Sequence, residues 1–173
     1  MTAPAGLPEE PDLEDVLVRV PLFAEVDRLA LAQLAAHLDP IALEEGDTVC
    51  RQGEPGDCLF VLTAGRLGIH VQDATGGASR RIDGLGPGDF FGEMSLFDRS
   101  PRSATIQAES DVTLLALDRE AMRRLTELSP RAAAAFFYAL VQVFIERLRA
   151  SGDLVAEVTR WGLEATGLDL DSR

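Results

Sequence analysis

Histidine, cysteine and basic residues are scarce in this chain, and each shortage removes a class of function. Only His37 and His70 occur in 173 residues, the first within an expected helix and the second alone on an expected strand. A metal-dependent oxygenase or isomerase needs two or three histidines converging with a carboxylate on one ion, so no metal ligands and no enzymatic activity are expected. The two cysteines, Cys50 and Cys58, have neither a CxxC nor a metal-ligand spacing. They read as small, half-buried strand residues, with a disulfide as the minority alternative. Sixteen basic residues stand against 29 acidic ones, a formal charge of −13. Phosphate backbones demand clustered Lys and Arg, so nucleic acid is not an expected partner. No apolar run reaches membrane-spanning length, and no basic-then-apolar leader opens the sequence. No membrane insertion and a cytoplasmic location are therefore expected.

What is present is enough apolar material, 46% of residues, for one domain with a core and a modest appendage. Residues 1–11, rich in Pro, Ala and Gly without apolar period, predict a mobile tail. Asp12 and Asp27 are placed to cap two short helices, the first stopped by Pro21. From Pro40 to Leu117 short segments of alternating polarity are separated by glycine-bearing turns, predicting an antiparallel β-roll or jelly roll (a double-stranded β-helix). Asp118 caps a helix expected to run through Leu128, and Ser129-Pro130 signals a long final helix. The fold class is α+β, with N-terminal helices and a long C-terminal helix flanking the roll. Its expected parts are residues 12–128 as the main domain, 129–163 as a C-terminal lid and dimerisation helix, and 164–173 as an acidic tail.

The stretch GLGPGDFFGEMSLFDRSPRSATI, residues 84–106, carries the most chemistry. Pro87-Gly88-Asp89 predicts a type II turn, Phe90-Phe91 a short strand, and Gly92 an opening just before a short helix at Glu93. The first amides of such a helix have no partner within it and attract anions. Arg102 and Ser103 emerge at a strand end. A guanidinium fork, a hydroxyl and backbone donors suit a phosphate, and one nearby carboxylate suits a sugar hydroxyl, so the set describes a nucleotide with one phosphate charge.

The run FGEMSLFDRSPRSATI resembles the phosphate-binding cassette of the cyclic-nucleotide-binding domain. Gly92, Glu93, Leu96, Pro101, Arg102 and Ala104 stand at that family's spacing, and the likeness extends to Glu45-Gly46-Asp47, Gly53-Glu54-Pro55-Gly56-Asp57, Leu59 to Leu62 and Gly65. The resemblance implies that Arg102 pairs the exocyclic oxygens of a cyclic phosphate, that Ser103 contacts phosphate or base, and that Glu93 accepts the ribose 2′-hydroxyl. Gly92 and the amides of Met94 and Ser95 donate around the ligand, Ala104 lets the strand sit close, and Phe91 and Leu62 are pocket wall or core. Glu93 as a mere helix-start acid, and Arg102 in a surface ion pair with Asp98 or Glu109, are the bland alternatives. The ligand expected is cyclic AMP ahead of cyclic GMP, with no further cofactor.

In the last helix, Phe137, Val141, Phe144, Leu148, Val155 and Val158 fall at four-and-three spacing, predicting a parallel homodimer through residues 137–158. Packing of the same stripe on the chain's own roll is the alternative. Ser151-Gly152 is the point where that helix is expected to kink or end, and Trp161 reads as an amphipathic-helix residue rather than a lid over a base. A stand-alone sensor relaying occupancy to an unidentified protein effector is the expected function. A docking or dimerisation module that no longer binds nucleotide, and a truncated sensor domain of a transcription factor, are the alternatives.

Overall fold

The computed structural model describes residues 13–73 and 77–166, and side chains of the final helix as far as residue 153. The tail at 1–11, the cap at Asp12, the side chains of Val155, Val158 and Trp161, and all but the start of the acidic tail lie outside the described residues.

Helix α1 (Leu13–Leu17) buries Leu17 and is followed by a 3-10 turn over Pro21–Phe23. Helix α2 (Arg28–Ala35) starts where the Asp27 carboxylate accepts the Ala30 amide at 2.9 Å, as a side-chain cap should. Eight strands follow among the described residues: β1 (Asp39–Leu43), β2 (Thr48–Cys50), β3 (Cys58–Ala64), β4 (Leu67–Val71), β5 (Arg80–Leu85), β6 (Phe90–Phe91), and, after the six-residue helix α3 (Glu93–Asp98), β7 (Thr105–Ala108) and β8 (Val112–Asp118). They form two four-stranded antiparallel sheets, ordered β1-β8-β3-β6 and β2-β7-β4-β5. Apart from the β4-β5 hairpin, each strand lies in the other sheet from the one before it, so the chain rolls up as the alternating polarity and glycine turns predict.

Alternation decides which side chains enter which core. Along β3, Leu59 and Val61 point toward the helices, whereas Phe60 and Leu62 point between the sheets. The helix-side core joins Leu17, Phe23, Leu31 and Leu34 to Phe136 and Leu140. The inter-sheet core holds Leu62, Leu67, Ile106 and Leu114.

Helix α4 (Arg119–Leu128) begins where Asp118 accepts the Ala121 amide at 2.6 Å, and α5 (Pro130–Thr166) opens on proline. α5 continues through Ser151-Gly152 without interruption. A side chain at Gly152 would touch nothing within 4 Å, so that residue is not there for close packing.

The stripe read from the sequence is divided on α5. Ala132, Ala133, Phe136, Ala139 and Leu140 are buried against the body. Phe137 and Phe144 are half-buried beside that core, Phe137 with its ring centroid 6.0 Å from Phe97 of α3. The outward apolar residues are Tyr138, Val141, Ile145 and Leu148, again spaced three and four. Val141 and Leu148 thus keep the exposed position expected of them, while Tyr138 and Ile145 take the place of Phe137 and Phe144. The difference is one residue, about 100° of helix rotation.

Candidate functional site

Two Pro-Gly-Asp turns build the site, and they use their glycines differently. At 86–89 the Asp89 amide donates to the Gly86 carbonyl at 3.0 Å and Gly88 has φ +98°, the left-handed angle that a type II turn requires of its third residue. The turn delivers Phe90-Phe91 to pair with β3, Phe91 opposite Phe60. At 55–57 the glycine is not left-handed. Gly56 is small because a Cβ there would stand 2.7 Å from Arg102 Nε and 2.6 Å from Ser95 Cβ.

Arg102 is threaded through that gap. Its backbone is zipped to the 53–54 loop, the Arg102 amide donating to the Glu54 carbonyl and the Gly53 amide to the Arg102 carbonyl, each at 2.8 Å. Its side chain then turns inward and is 8% exposed. The guanidinium passes beneath Gly92, where a Cβ would collide both with it and with the Cys58 carbonyl, and Gly92 has φ +81° as well. Nη1 donates to the Gly92 carbonyl at 3.4 Å, and Cζ sits 5.5 Å from the Phe60 ring centroid. Among the described residues no carboxylate comes within ion-pair distance of it. Asp98, a suspected surface partner, instead accepts from Ser100, and Glu109 accepts from Arg81. Those bonds hold both carboxyls below the usual carboxylate range.

Glu93 opens α3 and is equally hidden, at 6% exposure. Its Oε1 accepts from Arg147 Nη1 of α5 at 2.5 Å, and the Arg147 guanidinium lies 4.7 Å from the Phe90 ring centroid. Oε2 accepts no hydrogen bond from any described residue. The Ser95 carbonyl accepts from Arg119 Nη2 at 2.8 Å, which ties the middle of α3 to the start of α4.

Between these groups lies a cavity of about 450 Å³. Gly92, Glu93, Met94, Ser95, Arg102, Ser103, Ala104 and Phe91 all line it, so the residues singled out from the sequence converge on one space. Leu62 is not among its lining residues: it shares the inter-sheet core with Cys50 and Ile106, which do line the cavity, and is itself fully buried there. The sequence reading missed Arg147 and the apolar wall of Ile69, Leu85 and Ile106. A signal for Arg147 existed, since it falls four residues after Val143 and seven after Leu140, on the stripe facing the body, where a charge needs a partner. The wall residues come from β4, β5 and β7, and only the rolled topology unites them.

Cys50 also lines the cavity, and no disulfide joins it to Cys58. Burial raises the Cys50 thiol. It pushes Cys58 up to about 12, helped by hydrogen bonding to and the charge of Asp57 and opposed by the nearby Arg102 cation. Both are protonated at neutral pH. Among the described residues no group of three or more His, Cys, Asp or Glu is placed to hold a metal ion, and no helix is long and apolar enough to cross a membrane.

A buried, unpaired guanidinium facing a buried carboxylate across an open cavity, inside an antiparallel roll, defines a binding domain for a small ligand bearing both an anion and a hydrogen-bond donor. Residues 40–129 match the cyclic nucleotide-binding domain, and the chain belongs to that family. It is similar to a CRP-like cAMP-activated global transcriptional regulator of Mycobacterium tuberculosis, 31% identical over 146 residues that make up 84% of this chain and 63% of the regulator. The chain therefore spans less than two thirds of that relative's length. Among solved structures, the N-terminal domain of a transcriptional regulator from Streptomyces coelicolor A3(2) superposes with a TM-score of 0.68 at 37% identity, covering 82% of this chain and 95% of that one. Thermus thermophilus Catabolite Activator Protein gives a TM-score of 0.70 at 29% identity, over 80% of this chain and 63% of its own.

Proposed function

We propose that this chain is a cyclic-nucleotide sensor, with cyclic AMP preferred to cyclic GMP, which binds its ligand without converting it. The observation that carries this reading is Arg102: a buried cation held by one long hydrogen bond and an aromatic face has donors to spare, and an anion in the cavity would compensate it. In this reading the exocyclic phosphate oxygens lie on Arg102, with Ser103 and the amides of Met94 and Ser95 beside them. The ribose 2′-hydroxyl donates to Oε2 of Glu93, which is free while Oε1 holds Arg147. The base lies along Ile69, Leu85 and Ile106, and Ala104 leaves room at the strand.

Occupancy is read out through α5. Arg147 links that helix to Glu93, so a ligand that draws in α3 acts on α5 through the same ion pair, to the extent that it binds one arrangement better than the other. The outward residues of α5 form the seam of a parallel homodimer within residues 137–158, and a protein effector receives the signal. The preference for cyclic AMP is supported by the likeness to the cAMP-activated mycobacterial regulator.

A thermal-shift panel tests the reading. Cyclic AMP at 100 times its Kd should stabilise the protein by about 2.7 kcal/mol, cyclic GMP less at equal concentration, and linear 5′-AMP least. No shift with any cyclic nucleotide at millimolar concentration would make the chain a docking module instead.

A further inference from the structure

A second cavity lies behind the first. It is a cleft of about 320 Å³ between one flank of α5, the 3-10 turn at Pro21–Phe23 and the turn at 86–89. The two turns touch, since a Cβ at Gly88 would meet Pro21 Cδ at 3.4 Å. Pro21, Leu22, Ala139 and Val143 line the cleft with apolar surface, and each of its three sides adds a carboxylate: Glu25, Asp89 and Glu146. An apolar lining with a few convergent polar groups, at this volume, is the make-up of a small-molecule site. Of the outward stripe on α5 only Tyr138 reaches it, so the cleft lies beside that stripe.

The two cavities share a wall. Phe90 and Arg147 line both. The Arg147 guanidinium lies 4.7 Å from the Phe90 ring centroid and gives Nη1 to Glu93. A molecule in the cleft would therefore rest against the back of the ion pair that closes the nucleotide cavity.

Charge selects the class of molecule. Arg147 is already neutralised by Glu93, whereas no cation among the described residues comes within ion-pair distance of Glu25, Asp89 or Glu146. Asp89 uses Oδ2 to accept the Gly86 amide at 2.8 Å and keeps its charge. A bare metal ion does not suit the cleft, because among the described residues no three such groups are close enough to hold one. An ammonium group carried on an apolar body does: it donates to separate carboxylates while the body covers the apolar lining.

We propose that this cleft is a second site, for a small organic amine, coupled to the nucleotide cavity through Phe90 and Arg147. An ammonium that neutralises the three carboxylates weakens their pull on the guanidinium and leaves it to Glu93, which favours the arrangement with α5 tied to α3. Nucleotide then binds more tightly when the cleft is filled, and by linkage the amine gains the same factor from nucleotide. The cleft stands independently of the sensor reading; its coupling rests on that reading.

Saturation-transfer NMR titration with 2-phenylethylamine, and with 2-phenylethanol as the uncharged counterpart, tests the site in the wild type and in the double variant Glu25→Gln, Glu146→Gln. Calorimetry of cyclic AMP with and without saturating amine tests the coupling. The wild type should bind the amine saturably and at least about tenfold more tightly than the alcohol, and the double variant should lose at least about tenfold in amine affinity. The variant keeps all but two of the chain's 29 acidic residues, so diffuse attraction of an amine to the protein would survive in it. Cyclic AMP should bind the wild type about fivefold more tightly with the amine present, at the low end of coupled sites, and the variant should not respond. Equal affinity for amine and alcohol, a double variant with the wild-type amine affinity, or a cyclic AMP affinity that the amine leaves unchanged overturns the proposal. Should the wild type give no heat with cyclic AMP, the sensor reading fails and the coupling with it, while the NMR titrations still decide whether the cleft takes an amine. If the double variant loses its helical circular dichroism, Glu25→Gln alone takes its place, and an amine affinity equal to that of the wild type again overturns the proposal.

Discussion

The two charged groups of the cavity are buried alike and prepared differently. Arg102 and Glu93 are 8% and 6% exposed, yet Arg102 faces no carboxylate among the described residues whereas Glu93 already holds Arg147. A buried unpaired cation carries an uncompensated desolvation cost that an arriving anion relieves, so much of the ligand's binding energy should come from that end. A carboxylate that keeps its ion pair can gain only the one hydrogen bond that its free oxygen accepts. In the proposed binding mode, affinity therefore rests mainly on one end of the site and sugar recognition on the other.

Breaking this contrast should give effects of decreasing size. Arg102→Ala removes the compensating charge and should weaken cyclic AMP by about 2 to 5 kcal/mol, thirtyfold or more by calorimetry. An affinity equal to the wild type would remove Arg102 from the site. Gly92→Ala should cost about 2 kcal/mol of stability in urea unfolding, because it combines a left-handed backbone with a collision against the guanidinium. If the variant is as stable as the wild type, the tight passage for Arg102 is not as described. Glu93→Ala should weaken cyclic AMP about tenfold and erase the preference for ribose over 2′-deoxyribose, measured by competition with 2′-deoxy cyclic AMP. Retained discrimination would assign the hydroxyl to another residue.

The smallest effect concerns Cys58. Its folded pKa, about 12, lies above the ordinary thiol value of 9.0. The unfolded chain therefore loses its proton first as pH rises. This group's contribution to stability is complete below pH 9 and disappears between pH 9 and about 12. Cys58→Ser should flatten that part of the stability profile, and maleimide should label Cys58 slowly in the folded protein at pH 8. Rapid labelling would mean a thiol far less shielded than the structure has it.

How much of this was legible in the sequence depended on how local each feature is. The cassette is written in consecutive residues, so Gly92, Glu93, Arg102 and Ser103 were found, as were the Asp27 and Asp118 caps, each of which bonds an amide three residues on. The apolar wall is not local, since Ile69, Leu85 and Ile106 come from three strands that only the roll brings together. Leu62, expected as pocket wall or core, lies in the inter-sheet core, and strand alternation alone does not say which residue of that face reaches the cavity. The stripe on α5 divides between the two readings open to it: Phe137 and Phe144 pack beside the chain's own body, whereas Val141 and Leu148 are exposed, and four-and-three spacing alone does not separate the two. Gly56 resembled Gly88 in sequence, and only the path of Arg102 separates their roles.

The most direct test of the account is a crystal structure of the protein grown with cyclic AMP. The expected density has the exocyclic phosphate oxygens within hydrogen-bond distance of the Arg102 guanidinium and the 2′-hydroxyl on Glu93, with Arg147 still beside that carboxylate. A nucleotide bound elsewhere, or one in the cavity with its phosphate turned away from Arg102, would contradict it.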